Sequence, residues 1–291
     1  MGKERTDVKN EDIIKLYCND NLSLNKIAKL LSCDRNLVKS RLRKSNIRLK
    51  NLTKSEQIRE GVKISVPIND YLVEVLNGEM LGDGSLISPS GFQAYFSIET
   101  KQKTWVEYLI NIFEKSNIPF KSNPVRYRES KNTYGFNTRS TVELGTLHKI
   151  WYNNNKNYNQ AKPSGWNNRK YIKTIPKDLK LTPTSLLHWF IGDGTIKNGK
   201  YSGKLCSNGF TYEEVEFLRL RMKEDLDINT THYKSNAIGI PLRELNKLVN
   251  IIGKCPIKEY EYKWNVKPWV RNRNIDYSIN YKAIEKYKLK P

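Results

Sequence analysis

The sequence predicts an α+β chain: two pseudo-symmetric αββαββα repeats, preceded by a small all-α helix-turn-helix domain. Three observations predict it. A helix-like run ending in Gly-Asp-Gly occurs twice, as LNGEMLGDGSLI from Leu76 and as LLHWFIGDGTI from Leu186. Each copy is followed by the same order of alternating segments and helical runs. The first 50 residues carry three short helical patterns and no alternating run.

Composition narrows the partners. A formal net charge of +21 over 291 residues, with a pI near 9.7, is spread along the whole chain. Such an excess repels itself unless a polyanion uses it, which points to nucleic acid. No segment has the apolar length of a membrane span, so no membrane partner is expected. The start, MGKERTDVKNED, is charged and lacks an apolar core, so an intracellular protein is expected, cytoplasmic or phage- or organelle-encoded. The four cysteines, Cys18, Cys33, Cys206 and Cys255, form no CxxC pair, which argues against a zinc site or disulfide framework.

Residues 1–50 read as three helices. Ile13, Ile14 and Leu16 give the first its apolar side. Ser23 suits the N-cap of the second, with Leu24, Ile27, Ala28 and Leu31 inward. Asp34 suits the cap of the third, with Leu37, Val38 and Leu42 inward. Ala28 and Val38 stand at the spacing a helix-turn-helix uses. Arg35, Asn36, Lys39, Ser40 and Arg43 remain for the outer face, a set that suits phosphates and base edges. The competing reading is a helical bundle with a solvated basic face. Residues 51–68 read as a linker.

The first repeat, 69–165, opens with the motif helix, which runs into Ser85–Ile87. Phe92, Ala94, Phe96 and Ile98 alternate as a strand, and 103–113 has helical spacing. Residues 125–128 and 133–139 read as a hairpin rich in Arg and Tyr, and Val142–Trp151 as a helix. Arg126, Arg128 and Arg139 are expected on one face, either against a duplex or as an ordinary polar surface. The polar stretch 153–170 has no periodicity and reads as a loop, along a DNA backbone or simply between repeats.

The second repeat, 166–265, follows the same plan. Tyr201–Ser207 is a strand. Tyr212–Leu226 is a helix with Val215, Leu218, Leu220 and Met222 inward. A hairpin turns at Lys234, and Leu242–Ile252 is the last helix. The tail, 266–291, holds seven basic and two acidic residues, with an amphipathic piece at 281–287. Trp264, Trp269, Tyr277 and Tyr281 are candidates to anchor it.

The chemistry centres on Asp83 and Asp193, 110 positions apart. Gly78 and Gly82 share a helix face and admit a close backbone. Gly192 keeps the inner small position in the second copy, while His188 replaces the outer one and reads as a packing residue. Helices packed through these faces would bring the two carboxylates side by side. Two carboxylates beside a polyanion suit Mg²⁺-dependent phosphodiester hydrolysis. Oxygen ligands favour Mg²⁺ over a transition metal.

The doubled motif and the stretch KTIPKDLKLTPTSLLHWFIGDG, from Lys173 to Gly194, resemble the LAGLIDADG homing endonucleases in their single-chain, two-motif form. The resemblance covers roughly residues 70–264. It implies a saddle of two sheets over DNA, and a monomer that binds a long asymmetric double-stranded target. It also implies cutting of both strands across the minor groove to leave short 3′ overhangs. Asp83 and Asp193 would hold Mg²⁺, or Mn²⁺ in its place, with the backbone carbonyls of Gly82 and Gly192. Lys173 and Lys263 match the family's basic active-site positions, Lys173 serving the first half and Lys263 the second. Arg126, Arg128, Arg139 and Lys234 would contact DNA. A regulator or RNA-splicing maturase that keeps the fold without cleavage is the alternative.

Overall fold

Each motif helix starts at a side-chain cap and stops at a glycine. In the computed structural model, α4 (Asp70–Leu81) is capped by Asn69, whose side chain accepts from Leu72 N at 2.8 Å. Its counterpart α7 (Pro183–Asp193) starts with proline at its first position. Thr182 and Ser185 form its capping box. Gly82 and Gly194 end them. The structure describes residues 8–20, 22–45, 47, 49, 64–89, 91–157, 169–197, 202–268 and 275–289. The expected linker up to residue 63, the middle of the polar loop (158–168), Tyr201 and Trp269 lie outside them.

The chain divides into two compact units, 1–62 and 63–291. In the first, α1 (Asn10–Cys18), α2 (Leu24–Leu30) and α3 (Arg35–Lys44) enclose Ile13, Tyr17, Ile27, Val38 and Leu42. Ser23 and Asp34 cap α2 and α3, accepting from Lys26 N and Asn36 N. Leu31 and Leu37 are only partly buried, so the inward set is smaller than the expected one.

In the second unit α4 is followed by β1 (Ser85–Ile87), β2 (Tyr95–Thr100), α5 (Lys103–Lys115), β3 (Arg126–Arg128), β4 (Thr133–Asn137) and α6 (Val142–Trp151). After β5 (Tyr152–Asn154) and β6 (Tyr171–Lys173), α7 opens the second series. That series continues with β7 (Gly194–Ile196), β8 (Ser202–Leu205), α8 (Tyr212–Leu226), β9 (Thr231–His232), β10 (Ile238–Pro241) and α9 (Leu242–Ile252). Both series are αββαββα. Their antiparallel sheets have matching orders, β1-β2-β4-β3 and β7-β8-β10-β9. One hydrophobic core runs through both, from Leu72 and Phe96 to Leu186, Phe190 and Leu248.

Three local expectations fail for reasons of packing. Phe92 is not a strand residue: it is 71% exposed, and β2 begins at Tyr95. The polar loop is not structureless at its ends, because Tyr152–Asn154 pairs with Tyr171–Lys173. His148 stacks on Tyr152 (4.5 Å) and meets Tyr171 edge-on (4.7 Å), so an aromatic clasp closes that pair. In the tail, Tyr281 is exposed. Ala283, Ile284 and Tyr287 of α10 (Tyr281–Leu289) bury the helix instead, with the Tyr287 ring tilted against Phe217 of α8 at 5.5 Å.

Candidate active site

The two motif helices meet through the small residues expected to let them meet. A methyl group built on Gly192 would lie 3.4 Å from Gly82 Cα and 3.3 Å from Asp83 N. One built on Gly78 would lie 2.6 Å from His188 Cβ. Backbones this close leave the helix ends, and the aspartates they carry, side by side. Asp83, exposed, and Asp193, half-buried, therefore share one place. Burial and then the neighbouring Asp83 charge push Asp193 up to about 7. Burial also raises Asp83, against the pull of Lys263 and Lys173.

One lysine is held at the end of each motif helix. Lys173 Nζ donates to Met80 O at 2.9 Å and Gly84 O at 2.8 Å. Lys263 Nζ donates to Phe190 O at 3.1 Å and to Ile191 O. Met80 and Phe190 each stand three residues before their aspartate, so one bond of each pair repeats with the fold, while the second differs: Gly84 follows Asp83 and Ile191 precedes Asp193. The last turn of a helix carries the negative end of its dipole, so an ammonium ion is favoured there. An ammonium has three N–H donors, and these bonds use two.

The backbone that carries Lys173 is itself clamped. Thr174 N donates to Trp151 O at 2.8 Å, and Ile175 N to Glu214 Oε1 at 3.0 Å. Lys263, only 4% exposed, ends a 3₁₀ turn (Lys258–Lys263) and lies 5.1 Å from the Tyr260 ring. Burial lowers both lysines to about 8, against the carboxylates that hold them up. Both carboxylates act on both lysines, Asp193 more strongly than Asp83 on Lys173, and Asp83 more strongly than Asp193 on Lys263. The four groups form one cluster.

The predicted contact residues divide. Strand alternation buries Phe96, Ile98 and Phe136 and puts Arg126, Arg128, Glu99 and Asn137 on the opposite face of the first sheet. There Arg126 donates to Asn137 Oδ1 at 2.7 Å, and Arg128 lies 3.1 Å from Glu99. Arg139 falls past the end of β4, half-buried, with its backbone tied to Pro119 O at 2.6 Å. The strand register that grouped it with the other two ends before it. Lys234 is exposed at the β9–β10 turn, which Asn236 fixes through Phe210 O (2.7 Å) and His232 (2.8 Å). In the first unit Arg35, Asn36, Ser40 and Arg43 are exposed along α3, and Lys39 is half-buried.

One residue of the cluster was missed in the sequence. Glu79, four positions before Asp83, is buried to 2% exposure and bonds His188 Nδ1 at 2.8 Å. Its place directly beside Gly78, where two backbones were expected to meet, was the available signal.

The profile of the LAGLIDADG DNA endonuclease family matches residues 73–248, which span both motif helices and both sheets. The chain belongs to this family. A solved LAGLIDADG relative, the homing endonuclease I-WcaI bound to its DNA recognition sequence, superposes with a TM-score of 0.55 at 22% identity. The match covers 77% of this chain and 98% of I-WcaI, and it establishes the shared fold. An uncharacterised protein of Methanocaldococcus jannaschii is 27% identical over 71% of this chain and 75% of its own. The cytochrome b mRNA maturase bI2 of Saccharomyces cerevisiae is 26% identical over 73% of this chain. The chain spans about half of that maturase's length, 51%. Among the described residues no helix is long and apolar enough to cross a membrane.

Proposed function

We propose that the protein is a site-specific endonuclease that hydrolyses phosphodiesters in both strands of a long DNA target. The observation that carries this reading is the doubled pairing of a motif-helix aspartate with a lysine on the carbonyls of the same helix end. Among the described residues no group of three or more His, Cys, Asp or Glu side chains could hold a metal unaided. Two neighbouring carboxylates, Asp83 exposed and Asp193 half-buried, nevertheless suit a hard cation whose remaining ligands come from outside, as DNA phosphates would supply. Burial disfavours their charge, and a cation there offsets that cost. Asp83 and Asp193, with the carbonyls of Gly82 and Gly192, would hold Mg²⁺ or Mn²⁺. Such a cation supplies Lewis-acid stabilisation of charge on the phosphate.

The chain's own groups do the rest. Lys173 and Lys263 keep one donor each for a water or a phosphate oxygen, and so orient the nucleophile and oppose charge build-up in the transition state. The outer faces of the two sheets form a saddle on the duplex. Arg126 and Arg128 serve one half and Lys234 the other, with Arg139 at the margin. Residues 1–50 act as a helix-turn-helix that adds contacts through Arg35, Asn36, Lys39, Ser40 and Arg43, on a chain that works as a monomer.

The decisive experiment first finds a target by incubating the protein with a randomised duplex library and Mg²⁺ and sequencing cut ends. Cutting and binding are then compared for wild type, Asp83→Asn and Asp193→Asn. Each variant should lose double-strand cleavage and retain binding. Wild-type cleavage by either variant would remove that aspartate from the site.

The likeness to a cytochrome b mRNA maturase favours a second reading, a protein that keeps the fold to bind nucleic acid without cutting. Tight binding to a selected duplex with no cutting in Mg²⁺ or Mn²⁺ would establish it.

A further inference from the structure

We propose that the buried Glu79–His188 pair is a positioning device that sets Asp83 against Asp193 for catalysis; this rests on the nuclease reading above. The pair joins the two repeats at the motif helices, with Glu79 Oε1 2.8 Å from His188 Nδ1 and the residues only 2% and 1% exposed. It has no counterpart across the pseudo-symmetry. The second-repeat equivalents of Gly78 and Glu79, counted back from the aspartate, are His188 and Trp189.

Glu79 is also the residue on which the Asp83 turn is built. Its carbonyl accepts from Gly82 N at 3.1 Å and Gly84 N at 2.8 Å, the residues on either side of Asp83. A Cβ on Gly84 would lie 2.8 Å from Glu79 Cβ, so the turn folds directly back on this residue. His188 is set in turn by Gly78 beneath it and by Trp105 beside it, at a ring separation of 5.2 Å. The contacts form a chain from α7 through His188 and Glu79 to the backbone of Asp83. The pair therefore bears on the Asp83 turn, while Asp193 is tied through its own carbonyl to Cys206 N at 3.1 Å. A buried polar pair is costly relative to apolar side chains of the same size, which makes fold stability a poor account of it.

The test uses the full chain with a supercoiled plasmid carrying one target site. Glu79→Met/His188→Leu replaces the pair by apolar groups of similar volume, and Glu79→Gln keeps an oxygen for His188. The double variant should match wild type in melting temperature and DNA affinity. It should cut one strand slower by on the order of tenfold to a hundredfold, so that nicked circles accumulate. Glu79→Gln should restore near-wild-type order and rate. Equal slowing of both strands, wild-type cutting by the double variant, or its failure to fold would each overturn the proposal. An uncut plasmid with the wild-type protein would instead remove the nuclease reading, and this one with it.

Discussion

His188 lies over Gly78 so closely that a Cβ added to the glycine would stand 2.6 Å from His188 Cβ. The same added atom would run into the backbone carbonyl of Ser185, whose carbon lies 3.0 Å away. Alanine is otherwise the better helix former, by about 1 kcal/mol. Backbone cannot yield as a flexible side chain can, so the clash wins. Gly78→Ala should destabilise the protein by about 1–3 kcal/mol. Gly209→Ala, where nothing lies within 4 Å, should leave thermal unfolding unchanged. Equal melting temperatures for the two variants would contradict this helix packing.

Asp193 makes stability depend on pH in a direction opposite to most surface carboxylates. Its folded-state value is raised from 3.8 to about 7, so between those values the folded chain binds more protons than the unfolded one. Its contribution is therefore lost as pH rises through that window. Lys173 and Lys263, lowered from 10.5 to about 8, act above it: there the unfolded chain holds more protons, and stability recovers as pH rises toward 10.5. Without DNA or divalent cation, Asp193→Asn should melt on the order of a few degrees above wild type at pH 8. The two should coincide near pH 4. A constant difference across that range would show that the Asp193 charge is not opposed by its surroundings.

Many phosphates are expected under a surface of this charge. Binding to a selected duplex should fall by about 0.9 log unit per log unit of salt for each phosphate neutralised. Arg126→Ala and Arg128→Ala should each lower that slope by about one contact. A slope near zero in a binding titration from low to physiological salt would remove nucleic acid as the partner.

The lysines should matter less absolutely than the aspartates. Lys173→Met and Lys263→Met each remove the donor proposed to face a phosphate and free two backbone carbonyls, while both carboxylates stay in place. Single-turnover cleavage should slow by on the order of a hundredfold, with affinity nearly kept. Unchanged rates would restrict the lysines to helix capping.

Much of the fold was legible because it is local. Periodicity marked Tyr212–Leu226 and Leu242–Ile252 to the residue, and Ser23 and Asp34 were readable as caps. A helix needs its partners within four positions, and a cap within three. The two Gly-Asp-Gly runs announced the paired aspartates, since small residues at helical spacing already say that two backbones will meet. What tertiary structure alone decided lies between distant positions. Tyr152 pairs with Lys173 across a polar loop, Arg139 drops out of the strand that grouped it with Arg126, and Lys173 finds Met80 and Gly84. Glu79 meets His188 over 109 positions. Each of these joins positions far apart in the chain, and the Glu79–His188 contact depends on how closely α4 and α7 approach, which the packed side chains of both repeats set together and no stretch of sequence encodes by itself.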